Sequence, residues 1–145
     1  MSARLTTEAI DPTALLGRVA ADSNGATCLF VGTVRNSNDG RAVDGIDYSA
    51  YEPMAIAEMA RIAAEASSRF PGVTTALEHR IGTLRIGDVS VAIACAHAHR
   101  TESLDACRYV IEQLKHRVPI WKREHYVDGT SEWVDPTRTS AGVAP

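Results

Sequence analysis

The stretch VSVAIACAHAHRTESLDACRYVIEQLKHRVPIWKRE, residues 89–124, carries the signals that decide the architecture. Its first residues alternate: Val89, Val91, Ile93 and Cys95 are large, while Ser90, Ala92, Ala94 and Ala96 are small. A strand with one large and one small face is expected to be covered on both sides. At Thr101 the period changes. Thr101 is placed to cap a helix, and Glu102 and Asp105 in its first turn complement the helix dipole. Leu104, Cys107, Ile111, Leu114 and Val118 then recur at three- and four-residue steps, the stripe of a core-facing helix. Pro119 ends that helix, having no N–H to donate. Ile120–Val127 reads as a strand, so the chain folds back on itself at Pro119.

Toward the C-terminus, Asp128-Gly129 favours a tight hairpin joining Ile120–Val127 to Glu132–Val134. Residues 136–145 are small and polar, and a loose tail is expected there. Toward the N-terminus, Thr75–Arg80 reads as a strand, separated from Val89–His97 by a turn near Ile86-Gly87-Asp88. Pro53 opens a helix to about Phe70, closed by Pro71-Gly72. Ala26–Val34 and Val43–Tyr51 read as strands, with Asn36-Ser37-Asn38-Asp39-Gly40 joining them as a hairpin-like loop. Asp11-Pro12 supplies an N-cap and a helix-starting proline for a short helix through Leu15, Leu16 and Val19. Hairpins interleaved with helices predict an α+β domain. The chain has 145 residues, which suits one domain, placed here at residues 1–135.

The net charge of -3, with only two Trp and two Phe, argues against a nucleic-acid module, which pairs a broad basic face with stacking aromatics. Any anion must be held by a local cluster of bases. No apolar run approaches the roughly 18–20 residues that span a bilayer, and the N-terminus lacks a signal peptide's apolar stretch. A cytoplasmic protein is expected. Cys28, Cys95 and Cys107 have no zinc or redox spacing, and each sits in an apolar run, so all three read as buried small hydrophobes. His97, His116 and His125 show no metal-ligand spacing.

The bases gather at element ends. Arg35 lies where a strand runs into the polar loop. His99-Arg100 lies where a strand hands over to a helix N-terminus, whose free N–H groups and partial positive charge suit phosphate; alone, the pair also fits an ordinary surface position. Lys115 falls near the end of that helix. Lys122 shares a strand face with Ile120, while Trp121 and Arg123 take the other. A helix–strand unit folded at Pro119 can bring the two ammonium groups toward one pocket, where at least one lysine pKa is expected to fall. Spacing alone fits two exposed lysines beside a turn better.

The runs Phe30-Val31-Gly32-Thr33-Val34-Arg35-Asn36, Tyr51-Glu52-Pro53-Met54-Ala55, His79-Arg80-Ile81-Gly82, Gly87-Asp88-Val89-Ser90-Val91, Ala98-His99-Arg100, Leu114-Lys115 and Val118-Pro119-Ile120-Trp121-Lys122-Arg123-Glu124 resemble the large subunit of molybdopterin synthase. The likeness runs from about Thr13 to Val134. It implies an α/β hammerhead fold and a homodimer with one small ubiquitin-like subunit docked on each copy, a heterotetramer. The small subunit's C-terminal Gly-Gly thiocarboxylate would donate sulfur. The substrate would be cyclic pyranopterin monophosphate, converted to molybdopterin by two sulfur transfers without a metal or cofactor. By the same resemblance Lys115 is the essential lysine, as base or transient covalent partner. Lys122 would polarise the donor carbonyl or hold substrate. Arg35, His99 and Arg100 would bind the phosphate and pterin. An arginine of the dimer mate is expected just after the Trp-Val pair, and here Arg138 stands in a shifted position. A non-catalytic anion-binding scaffold is the competing reading, and the paired lysines argue against it.

Overall fold

The computed structural model describes residues 2–134; the tail expected from Pro136, with Arg138, lies outside the described residues. Along the chain run β1 (Ser2–Thr6), α1 (Pro12–Val19), β2 (Ala26–Thr33), β3 (Ser37–Asn38), β4 (Arg41–Ala50) and α2 (Glu52–Arg69). They are followed by β5 (Thr74–Arg80), β6 (Gly82–Arg85), β7 (Val89–His97), α3 (Arg100–Arg117), β8 (Ile120–Tyr126) and β9 (Ser131–Val134). The fold is α+β, with two sheets.

The first sheet has the order β1-β5-β7-β2. β7 is antiparallel to both neighbours and is covered on both faces, as its alternation requires. On the small face, Ala92, Ala94 and Ala96, with Ala76 of β5, lie against Leu15 and Val19 of α1. Methyl side chains let the short helix approach the sheet closely. On the large face, Val91, Ile93, Cys95 and Leu77 pack with Met59, Ile62 and Ala66 of α2 and with Ala106, Cys107, Val110 and Leu114 of α3. Ile93, Leu77 and Ile62 are fully buried, and each such side chain stabilises the fold by roughly 1.5–3 kcal/mol through removal from water.

The second sheet is built on β4, with β8 along one edge and β6 and β3 along the other, and β9 beyond β8. The polar loop does not pair β2 with β4, contrary to the sequence reading. It carries the chain from one sheet to the other, and only Ser37–Asn38 turns back onto β4. Asp39 and Gly40 take φ of 49° and 76°, as a two-residue hairpin turn demands.

Further sequence expectations are corrected. β1 and β6 are not among the expected elements: β6 is a four-residue strand with one buried side chain, and β1 alternates over only five residues. α3 begins at Arg100, with His99 rather than Thr101 at the N-cap and no side-chain capping bond. Its buried stripe is Ser103, Ala106, Cys107, Val110 and Leu114, rotated from the expected one, so that Leu104 is exposed. Ser103 is tolerated inside because its hydroxyl donates to the Arg100 carbonyl at 2.9 Å. Of the cysteines, Cys95 and Cys107 are buried and Cys28 is half-buried.

α2 and α3 are tied by a charged cluster on their outer side. Arg117 forks onto Glu65 at 2.6 and 2.9 Å, and the Tyr109 hydroxyl donates to the same carboxylate at 2.6 Å. Arg117 above all, then Tyr109, holds the Glu65 carboxyl down to about 2. A carboxylate whose folded pKa lies below its unfolded value stabilises the protein above the unfolded pKa, and the contribution is lost as pH falls through the folded one. The Tm difference between wild type and Glu65→Gln is therefore expected to be full at neutral pH, to shrink below about pH 4.5, and to vanish near pH 2. A difference that does not change with pH in thermal scans rejects this role.

Candidate active site

β8 presents Ile120, Lys122, Glu124 and Tyr126 to the interior and turns Trp121 outward, the division predicted from alternation. Lys122 stands opposite Tyr48 of β4, which is itself buried. The side chain of Lys122 is 23% exposed and reaches to 3.6 Å from Glu124, which is 3% exposed. A buried carboxylate must be paired and hydrogen-bonded to be tolerated, and this one is. The Asn38 amide donates to its two oxygens at 2.9 and 3.1 Å, and the Tyr126 hydroxyl donates to it at 3.1 Å. Arg35 donates to the Asn38 oxygen at 3.3 Å. Arg35, Asn38, Glu124 and Lys122 thus form one chain of polar contacts linking the end of β2 to β8.

Lys115 lies on the last turn of α3, where Pro119 reverses the chain toward β8. By surface area the Lys115 side chain is exposed, although protein atoms crowd around its amine. Desolvation there, and then the charge of Lys122, lower its pKa below the usual lysine value. Its field reaches His79 at the end of β5, whose pKa falls to about 3 through burial first and Lys115 second. His79 is thus neutral, with Nδ1 2.8 Å from the Arg80 carbonyl and its ring 5.2 Å from that of Tyr48. The local chemistry is an amine with reduced proton affinity, a second cation held by a buried carboxylate, and a neutral wall behind them.

Of the residues predicted from sequence, Arg35, Lys115 and Lys122 share this end of the molecule. His99 and Arg100 do not. They begin α3 while Lys115 is near its close, a separation of about 22 Å at 1.5 Å per residue. The strand register agrees: Ala26 of β2 pairs with His97, whereas Thr33, which leads to Arg35, pairs with Val89. Arg138 lies outside the described residues. Sequence reasoning missed Glu124 and Asn38; the available signal was an acid on the apolar face of β8, which requires a partner. Among the described residues, no group of three or more His, Cys, Asp or Glu side chains is placed to hold a metal ion, and no helix is long and apolar enough to cross a membrane.

Residues 5–117 match the family model described as MoaE protein. The molybdopterin synthase catalytic subunit of Nostoc sp. is 48% identical over 80% of this chain and 72% of its own length. The crystal structure of molybdopterin synthase from Staphylococcus aureus superposes with a TM-score of 0.85 at 36% identity, covering 90% of this chain and 94% of that one. A complex of subunits 1 and 2 of the molybdopterin-converting factor from Helicobacter pylori gives a TM-score of 0.76 at 25% identity over 98% and 99% of the two chains. The chain belongs to the MoaE family. Its activity is that of the catalytic subunit of molybdopterin synthase, a sulfurtransferase of molybdenum cofactor biosynthesis.

Proposed function

We propose that this chain, acting in the cytoplasm through one domain of residues 1–135, converts cyclic pyranopterin monophosphate to molybdopterin. Two sulfurs arrive on the C-terminal thiocarboxylate of a small ubiquitin-like partner that ends in Gly-Gly. The observation that carries the reading is the Lys115–Lys122 pair, one amine with lowered proton affinity beside one held by Glu124. Lys115 acts on the substrate as base or transient covalent partner. Lys122 steadies the donor carbonyl, and Arg35 supplies a bidentate donor for the phosphate. The neighbour solved as a two-subunit complex supports a small partner for this chain. No metal or cofactor enters the scheme.

His99 and Arg100, with the uncapped N–H groups of α3, form a second anion-binding end that cannot reach Lys115 within one copy. We assign it to the site of a dimer mate. β2 is a terminal strand of the first sheet, with Phe30 and Val31 exposed, and such an edge invites pairing with another chain. Two β2 edges paired antiparallel about a two-fold axis would set the His99 end of one copy beside the Arg35 end of the other. Mixing Lys115→Ala and Arg100→Ala subunits, each inactive alone, should then regenerate product formation to about a quarter of wild type. Half of randomly mixed dimers are hybrids, and each hybrid holds one intact site of two. No recovery after confirmed subunit exchange would place both residues in separate functions.

A further inference from the structure

We propose that His97 is a positioning residue for the His99-Arg100 turn, a neutral imidazole bridging the end of α2 to the start of α3. This rests on the reading of His99 and Arg100 as substrate ligands. His97 closes β7 and is 8% exposed. Its Nε2 lies 3.0 Å from the Pro71 carbonyl oxygen. A carbonyl only accepts, so Nε2 carries the hydrogen. Its Nδ1 lies 3.0 Å from the backbone nitrogen of His99, which only donates, so Nδ1 holds a lone pair. One species meets both demands, the neutral Nε2–H tautomer. The imidazolium has no lone pair left for the His99 N–H.

The bridge stands where α3 has no side-chain cap. It fixes the backbone of the N-cap residue from one position inside the strand, and so sets how His99 and the free N–H groups of the first turn face outward. The surroundings are fitted to it. The Gly25 N–H donates to the His97 carbonyl at 3.1 Å, and a Cβ on Gly25 would stand 2.6 Å from the Ala98 oxygen. Gly72 has φ of +94°, and a Cβ there would lie 3.4 Å from His97 Nε2. Glu102, 3.7 Å from Nδ1, and the His99 ring, 5.9 Å away between centroids, also face the imidazole.

An amide can both donate and accept and never charges, so His97→Gln keeps the bridge. Phenylalanine keeps the ring and loses both bonds. With the full complex, thiocarboxylated partner and the pterin substrate, His97→Phe is expected to raise the half-saturating pterin concentration about 10-fold while changing the maximal rate less than about 3-fold, and His97→Gln should stay within about 3-fold on both. Arg100→Ala is run beside them. If Arg100→Ala behaves as wild type, the reading of the turn as substrate ligand fails. If Arg100→Ala is impaired and His97→Phe is not, the positioning role fails. Equal losses in the Gln and Phe variants also reject the bridge. Should His97→Phe not fold, nitrogen NMR of the wild-type ring decides: a neutral Nε2–H tautomer near neutral pH is expected, and an Nδ1–H tautomer or an imidazolium overturns the proposal.

Discussion

Lys115→Arg is expected to lose product formation almost as completely as Lys115→Ala, by about 10²-fold or more, the scale of a lost acid–base group. Arginine keeps the charge but stays protonated at every working pH. The protein has gone some way to make this amine shed its proton, through desolvation and through Lys122. Because the pKa is lowered, the free-amine fraction at neutral pH is larger than for an ordinary lysine, and activity should rise with pH through the depressed value. Lys122→Met removes one cause of the depression, so the inflection should move to higher pH even though the remaining rate is small. Single-turnover assays across pH on these variants settle the matter. Near-normal turnover in Lys115→Arg would reduce Lys115 to an anion clamp.

Glu124→Gln should be the costliest single substitution of the polar chain. The carboxylate accepts from Asn38 on both oxygens and from Tyr126 on one, and it balances Lys122. An amide in its place puts an N–H₂ group against one of those donors and leaves Lys122 without its counter-charge. Losing one partner of a buried pair costs on the order of 3 kcal/mol, and a freed Lys122 should lower turnover at least about 10-fold, because a displaced catalytic group forfeits its alignment. Urea unfolding and single-turnover rates below the melting range measure the two effects separately. A variant with wild-type stability and turnover would mean that the carboxylate neither supports the sheet nor positions the lysine.

What was legible in the sequence was local. Alternation over Val89–His97 gave a strand covered on both faces, and alternation over Ile120–Glu124 put Lys122 on the interior side, because side-chain direction in a strand depends only on position parity. Pro119 marked the reversal joining Lys115 to Lys122. Partnership across the chain was not legible. Asn38 and Glu124 meet over a separation of 86 residues, and no periodicity reports such a pair. The polar loop reads alike whether it closes a hairpin between β2 and β4 or transfers the chain between sheets. The buried stripe of α3 is rotated from the one that polarity suggests, since apolar Leu104 is exposed and polar Ser103 is buried. Within one copy the length of α3 puts His99 and Arg100 at the opposite end of the helix from Lys115, a separation that no local pattern reports.

That length has a consequence of its own. On the proposed reading, the eighteen residues of α3 act as a measuring rod between an anion-binding end and an amine end. Inserting one residue would turn one end by about 100° relative to the other and push it 1.5 Å further along the axis. A whole extra turn would restore the direction and misplace the end by about 5.4 Å. Loops in this protein can change length at little expense, since they only have to close. On the dimer reading the helix cannot, because one end completes the copy's own site and the other completes its mate's, so its residue count sets the spacing of the two sites across the two-fold axis.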